Sequence, residues 1–262
     1  MEQADQTKVN EAFDRIYSEY KNKASGEFYS CLVIGVAGAG KTSFVATAPK
    51  PILIDSFDPR GTFVLREQIE KKEVYVRQYW DENSKKPSQY AKWESQWEKD
   101  IASGFLENFA TYSIDSATTF LNAMTNEVAR RFGRTNNLPA IQDYMLMYNL
   151  MRDMVKITST RRVNFILTGH SVFVQDELSG EITVELDTYK KLKSQIPLLF
   201  TEKYVIIVKQ TGGKARRVLL TAPQGRYMAS TQLGSGGKFN TEEEPDLRNL
   251  LKKAGLPYED KK

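Results

Sequence analysis

Cysteine and histidine are almost absent: the 262 residues hold one of each, Cys31 and His170. A single cysteine forms no internal disulfide, which suits a reducing compartment and excludes a disulfide-stapled scaffold. A single histidine excludes His-rich metal centres, whose ligand sets need several such side chains. No apolar run approaches the ~18 uninterrupted residues that a membrane span needs. The opening MEQADQTKVNEAFDR has no apolar core of the kind a secretory signal carries. Both absences lead us to expect a cytoplasmic protein without a membrane partner. Charge of one sign is also lacking, because 37 Lys and Arg face 33 Asp and Glu, for a net +4. That balance permits an anionic partner without requiring one. What is present is 40% hydrophobic and 27% charged residues, a globular composition that excludes disorder and at this length allows one or two domains.

Apolar periodicity divides the chain into alternating strands and helices. Residues 4–24 carry Ala, Phe, Ile and Tyr among charges and predict a surface helix. FYSCLVIGV (28–36) is a β-branched apolar run, a buried strand. PILID (51–55), EVYVRQY (73–79), TYSID (111–115) and VNFILTGH (163–170) read as further strands. Helices are predicted over 88–103, 117–132 and 141–159, the last two parted by a loop with Gly133 and Pro139 as breakers. SVFVQDELSGEITVELD alternates around Ser179-Gly180 and reads as a hairpin. YVIIVKQ and RRVLLTA flank the turn TGGKA, and a short helix is predicted near DLRNLLKKAG. Strands alternating with helices, then a run of strands, predict an α/β fold: a mostly parallel sheet flanked by helices, with an antiparallel β extension. The expected organisation is an N-terminal helical extension (1–26), a core (27–225) and a peripheral C-terminal tail with a short helix (226–262).

The strongest local signal is Gly35-Val36-Ala37-Gly38-Ala39-Gly40-Lys41-Thr42, followed by Ser43, a full match to the Walker A pattern. It sits after a buried strand and before a predicted helix, where phosphate chemistry needs it. Glycines let the backbone wrap a phosphate so that N–H groups point at its oxygens. Lys41 reaches the β- and γ-phosphates, and the Thr42 hydroxyl suits Mg²⁺. These residues, 35 to 43, predict binding of a nucleoside triphosphate. A partner acid for the metal belongs at the end of a neighbouring strand, and Asp115 in TYSIDS fits, with a helix N-cap as the alternative role.

With these motifs in hand, the chain resembles the RecA/DnaB-like branch of P-loop ATPases. More closely, it resembles short phage-encoded RecA-like proteins that include the Sak-type single-strand annealing ATPases. The resemblance spans roughly residues 28–255 and rests on GVAGAGKTS, PILIDSFDPRG, YSIDSAT, QDYMLMYNLMRDM before NFILTGH, KKLKSQIPLLF and EPDLRNLLKKAG. It implies a RecA-like P-loop core, ATP and Mg²⁺ as ligands, and assembly into a homo-oligomer. It also implies a water-activating carboxylate after the second core strand. RecA itself would suggest glutamate where this chain has Phe57, so Asp58 is the first choice and Asp55 the second. By the same resemblance His170 is a γ-phosphate sensor, with a structural histidine as the alternative. Lys214 and Arg216 resemble a finger that a neighbouring subunit inserts, with a solvated turn as the alternative.

Two segments correspond to the DNA-facing loops of such cores. Arg130, Arg131 and Arg134 flank Phe132 in the first, the mixture that backbone tracking and base stacking use. The second is acidic through Asp176, Glu177, Glu181, Glu185 and Asp187, and regains positive charge at Lys190, Lys191 and Lys193. The resulting expectation is an ATPase that acts on single-stranded DNA in phage recombination or annealing. Its rivals are an ATP-dependent protein-remodelling or packaging-related factor and a slowly hydrolysing nucleotide switch.

Overall fold

The computed structural model describes residues 2–22, 28–134, 139–177, 179–189 and 191–261. Helix α1 (Glu2–Asn22) leaves Phe13 and Ile16 largely exposed. After it the chain lays down β1 (Ser30–Gly35), α2 (Lys41–Val45), β2 (Ile52–Ser56), α3 (Arg66–Glu70), β3 (Val74–Gln78) and α4 (Gln89–Ser103). Then come β4 (Thr111–Asp115), α5 (Ala117–Arg131), α6 (Ile141–Ser159), β5 (Asn164–Gln175) and β6 (Ile182–Leu186). The remainder is α7 (Leu192–Gln195), β7 (Glu202–Thr211), β8 (Lys214–Leu220), β9 (Glu242–Glu243) and α8 (Leu247–Ala254).

The strands form one sheet in the order β3-β2-β4-β5-β1-β7-β8-β9, with β6 paired to β5. From β3 through β7 the pairs are parallel, while β8, β9 and β6 join antiparallel. This is the α/β class expected. Side-chain alternation along each strand divides the core between two faces. Leu32, Leu53, Tyr112 and Phe165 pack with Trp93, Phe120 and Met151 of α4, α5 and α6. Cys31, Val33, Ile52 and Ile54 face Phe44 and Val45 of α2 and Leu247, Leu250 and Leu251 of α8. Trp93 and Phe120 meet edge to face at 4.7 Å, and each is fully buried. Burial of one such side chain stabilises the fold by about 1.5–3 kcal/mol.

Two departures from the sequence reading matter. VNFILTGH does not end at its histidine, because β5 runs on to Gln175 and becomes the first arm of the hairpin with β6. The tail is no peripheral arm either: β9 extends the sheet beside β8, and the apolar stripe of α8 closes one face of the core. Among the described residues no helix is long and apolar enough to cross a membrane.

Candidate nucleotide-binding site

The carboxyl ends of β1, β2, β4 and β5 meet at one edge of the sheet, where open α/β sheets place ligands. The β1–α2 turn crosses that edge and carries the Walker residues 35 to 43. Gly35 must be glycine because a Cβ there would lie 2.8 Å from the backbone oxygen of Ile206 on β7. Gly40 adopts φ +101°, a left-handed conformation that side chains rarely take. Ala39 turns its methyl into the core, while Ala37, Gly38, Gly40, Lys41, Thr42 and Ser43 line a cleft of about 300 Å³. The Val36 side chain is half-exposed.

Lys41 is 6% exposed, and its Nζ donates to the backbone oxygens of Gly35 (2.9 Å) and Val36 (3.1 Å). Nζ also lies 3.3 Å from His170 Nδ1. Burial lowers the Lys41 ammonium from its ordinary value, opposed by the Asp115 and Asp58 carboxylates. An ammonium only donates, so Nδ1 accepts and the imidazole proton resides on Nε2. That proton points at Asp58 Oδ2, 3.1 Å away. Asp58 Oδ1 accepts from Ser116 Oγ (3.1 Å) and Thr119 Oγ1 (2.5 Å). Burial pushes the Asp58 carboxyl up, but the bonds from His170, Thr119 and Ser116 hold it below the usual range. Lys41, His170 and Asp58 thus form one chain of contacts across the cleft.

Beside it, Thr42 Oγ1 donates to Asp115 Oδ2 at 2.7 Å, and Thr168 Oγ1 donates to Oδ1. Burial raises the Asp115 carboxyl, against the bonds from Thr168 and Thr42. Among the described residues no cluster of three His, Cys, Asp or Glu could hold a metal unaided. The adjacent Thr42 hydroxyl and Asp115 carboxylate fit a divalent ion that completes its shell with substrate phosphates and water, the usual habit of Mg²⁺.

Asp55 is not part of this cleft. With Leu53 and Phe57 it faces the opposite side of the sheet from Ile54, and it is fully buried. Its oxygens accept from Arg77 Nε (2.6 Å), Arg77 Nη2 (3.0 Å), Trp93 Nε1 (2.9 Å) and Tyr112 Oη (2.6 Å). The second-choice base is thus a structural carboxylate. Removing one partner of a buried ion pair costs about 3–5 kcal/mol. Asp55→Ala should therefore lower unfolding stability by about that amount in a urea titration, while turnover per folded molecule at low temperature stays within twofold.

Lys214 and Arg216 lie outside the cleft of their own chain. On β8 they alternate with Arg217, which lines the cleft and was missed in the sequence. The signal for it was Leu219, two residues on, which packs against the α2 face, whereas Val218 and Leu220 pack on the other. The three arginines among the expected DNA cations are occupied by carboxylates. Arg130 pairs with Glu127 (2.7 Å), Arg131 with Glu127 (2.9 Å) and Glu94, and Arg134 with Asp143. Lys191 is exposed and Lys193 half-buried, whereas Lys190 lies outside the described residues. A larger cavity, about 740 Å³, opens at the amino ends of β1 and β7, far from these groups.

Residues 27–232 match the AAA domain family. The chain belongs to that family of P-loop ATPases. No curated protein matches it in sequence. Among solved structures it is similar to a KaiC-like protein from the hyperthermophilic archaeon Pyrococcus horikoshii OT3, with 14% identity and a TM-score of 0.43. That similarity covers 74% of this chain and 78% of the other. The family match begins just before β1 and ends after β8, so it contains every residue that lines the cleft.

Proposed function

We propose that this AAA-domain protein binds ATP with Mg²⁺ and hydrolyses it, and that it acts on single-stranded DNA as the phage recombination and annealing proteins it resembles do. The observation that carries the hydrolytic part is the Lys41–His170–Asp58 chain beside the Thr42–Asp115 pair. Thr42 and Asp115 would hold the metal, which supplies charge neutralisation on the phosphates. Lys41 would leave the carbonyls of Gly35 and Val36 for the phosphates. His170 Nδ1 is then free to accept a proton, with Asp58 fixing the ring from Nε2. Water oxygen bonds to the γ-phosphorus and gives its proton to Nδ1. The bond between the γ-phosphorus and the bridging oxygen breaks, leaving its electron pair on the diphosphate. In this reading Asp58, already accepting three hydrogen bonds, orients the base rather than serving as the base itself.

The polymer partner rests on Phe132, which is 54% exposed with the Arg134 guanidinium 4.9 Å from its ring centre, and on Lys191 and Lys193. Stacking of bases on such a surface tolerates any sequence. Because Arg130, Arg131 and Arg134 already hold carboxylates, few counterions would be released on binding. The salt slope should then stay near the ~0.7 per contact expected for one or two phosphates. Steady-state turnover with and without single-stranded DNA is the test, and stimulation severalfold is expected. Turnover indifferent to DNA would instead favour a protein partner docked on the acidic β5–β6 hairpin, where Phe173 and Ile182 are exposed. A neighbouring copy supplying Lys214 and Arg216 to the γ-phosphate remains part of the proposal, since neither reaches the cleft of its own chain.

A further inference from the structure

We infer that Arg217 is a ligand, in its own chain, for the α- and β-phosphates of a bound nucleotide, so that it grips di- and triphosphate alike. The inference rests on the proposed nucleotide site. Three observations carry it. The first is contact: a Cβ built on Gly40 would lie 2.6 Å from Arg217 Cδ and 2.8 Å from Nε, so the arginine stem lies directly against the Walker loop. The second is direction. Asp58 follows β2, and Asp115 and His170 stand on β4 and β5, all on one side of β1; in the proposed site they mark the γ-phosphate end. Arg217 arrives from β8, beyond β7 on the other side of β1, and so would cover the opposite end, nearer the nucleoside.

The third observation is charge. Arg77, Arg130, Arg131 and Arg134 each have a carboxylate partner. Among the described residues Arg217 has no carboxylate within ion-pair distance, although it is an exposed cation at the mouth of a polar cleft. A guanidinium that is not neutralised by the protein, with its fork beside a loop shaped for phosphate, suits two-oxygen recognition of a diphosphate. Gly40 has a second use here, because any side chain at that position would displace the arginine as well as strain the turn.

The test is titration of the full chain with fluorescent ADP and fluorescent ATP, comparing wild type, Arg217→Ala and Arg217→Lys. Loss of one charge-assisted contact should weaken Arg217→Ala about tenfold, by the same factor for both nucleotides. Arg217→Lys, which keeps the charge without the fork, should fall between. Melting curves without nucleotide should overlay, since the side chain is exposed and makes no ion pair. If the alanine variant loses affinity for ATP but not ADP, the arginine serves the γ-phosphate and the inference is overturned. Affinities equal to wild type for both nucleotides overturn it as well, and leave the nucleotide site itself intact. A wild-type chain that takes up neither nucleotide overturns both readings together.

Discussion

Lys41→Ala should weaken ATP binding about a hundredfold, roughly 2.7 kcal/mol. Lys41 is the one side-chain cation that the Walker loop contributes, and it is held almost out of solvent with its Nζ turned to two carbonyls and an imidazole. None of these neighbours is a carboxylate in direct contact, so the ammonium keeps its charge available for phosphate. Burial lowers its proton affinity, opposed by the Asp115 and Asp58 carboxylates. Lys41→Met retains the aliphatic stem and separates loss of charge from loss of packing. Both variants should bind a fluorescent ATP analogue with similar weakness, and ATP at concentrations that stabilise the wild type should stabilise them far less. Ligand at a hundred times its Kd adds about 2.7 kcal/mol to folding stability, so the melting shift of the wild type should be several degrees. Binding by either variant within twofold of wild type would remove the nucleotide site from its assigned place.

The Walker loop was legible because everything it needs is contiguous: a β-branched strand, glycines at fixed offsets, and Lys-Thr at the start of a helix. The place of Asp115 beside Thr42 was legible because it ends a predicted strand, even though that strand, TYSID, is only partly apolar. Asp58 and His170 could each be named but not joined, because their contact depends on the order of β2 and β5 in the sheet. Arg217 was hidden by register. Which of three neighbouring cations faces the cleft is decided by the pairing of β8 with β7, Val208 opposite Arg217, and a shift of one residue would have chosen Arg216. The ion pairs of the first DNA segment were legible only in part. Glu127 lies three and four residues before Arg130 and Arg131 on one helix, a spacing that predicts pairing, but Glu94 and Asp143 come from α4 and α6 and are visible only in three dimensions. The amphipathic stripe of α8 was plain in sequence, while the surface it covers, Phe44 and Val45 of α2, was not.

Asp58→Asn and His170→Ala should each lower kcat about a hundredfold or more, the range of a general base, with KM for ATP nearly unchanged. The reason lies in the shared hydrogen bond. Asp58 Oδ2 accepts the Nε2 proton of His170, and that bond turns Nδ1 toward Lys41, the place that the γ-phosphate takes in the proposed reading. An asparagine at 58 can still accept one bond, but it presents no charge to support the imidazolium formed when a water proton is taken up. Removal of the ring takes away the base directly. Two residues acting as one unit lose their effect once, so the double variant should be no slower than the worse single variant. A carboxylate acting alone predicts something else: Asp58→Asn would be severe, His170→Ala mild, and the double variant as slow as Asp58→Asn. A sensor histidine with no part in proton transfer predicts that the two losses multiply. Single-turnover rates with ATP in all four proteins separate these cases, because product release is excluded from the measurement. Multiplying losses would sink the Asp58–His170 unit and return the base to Asp58.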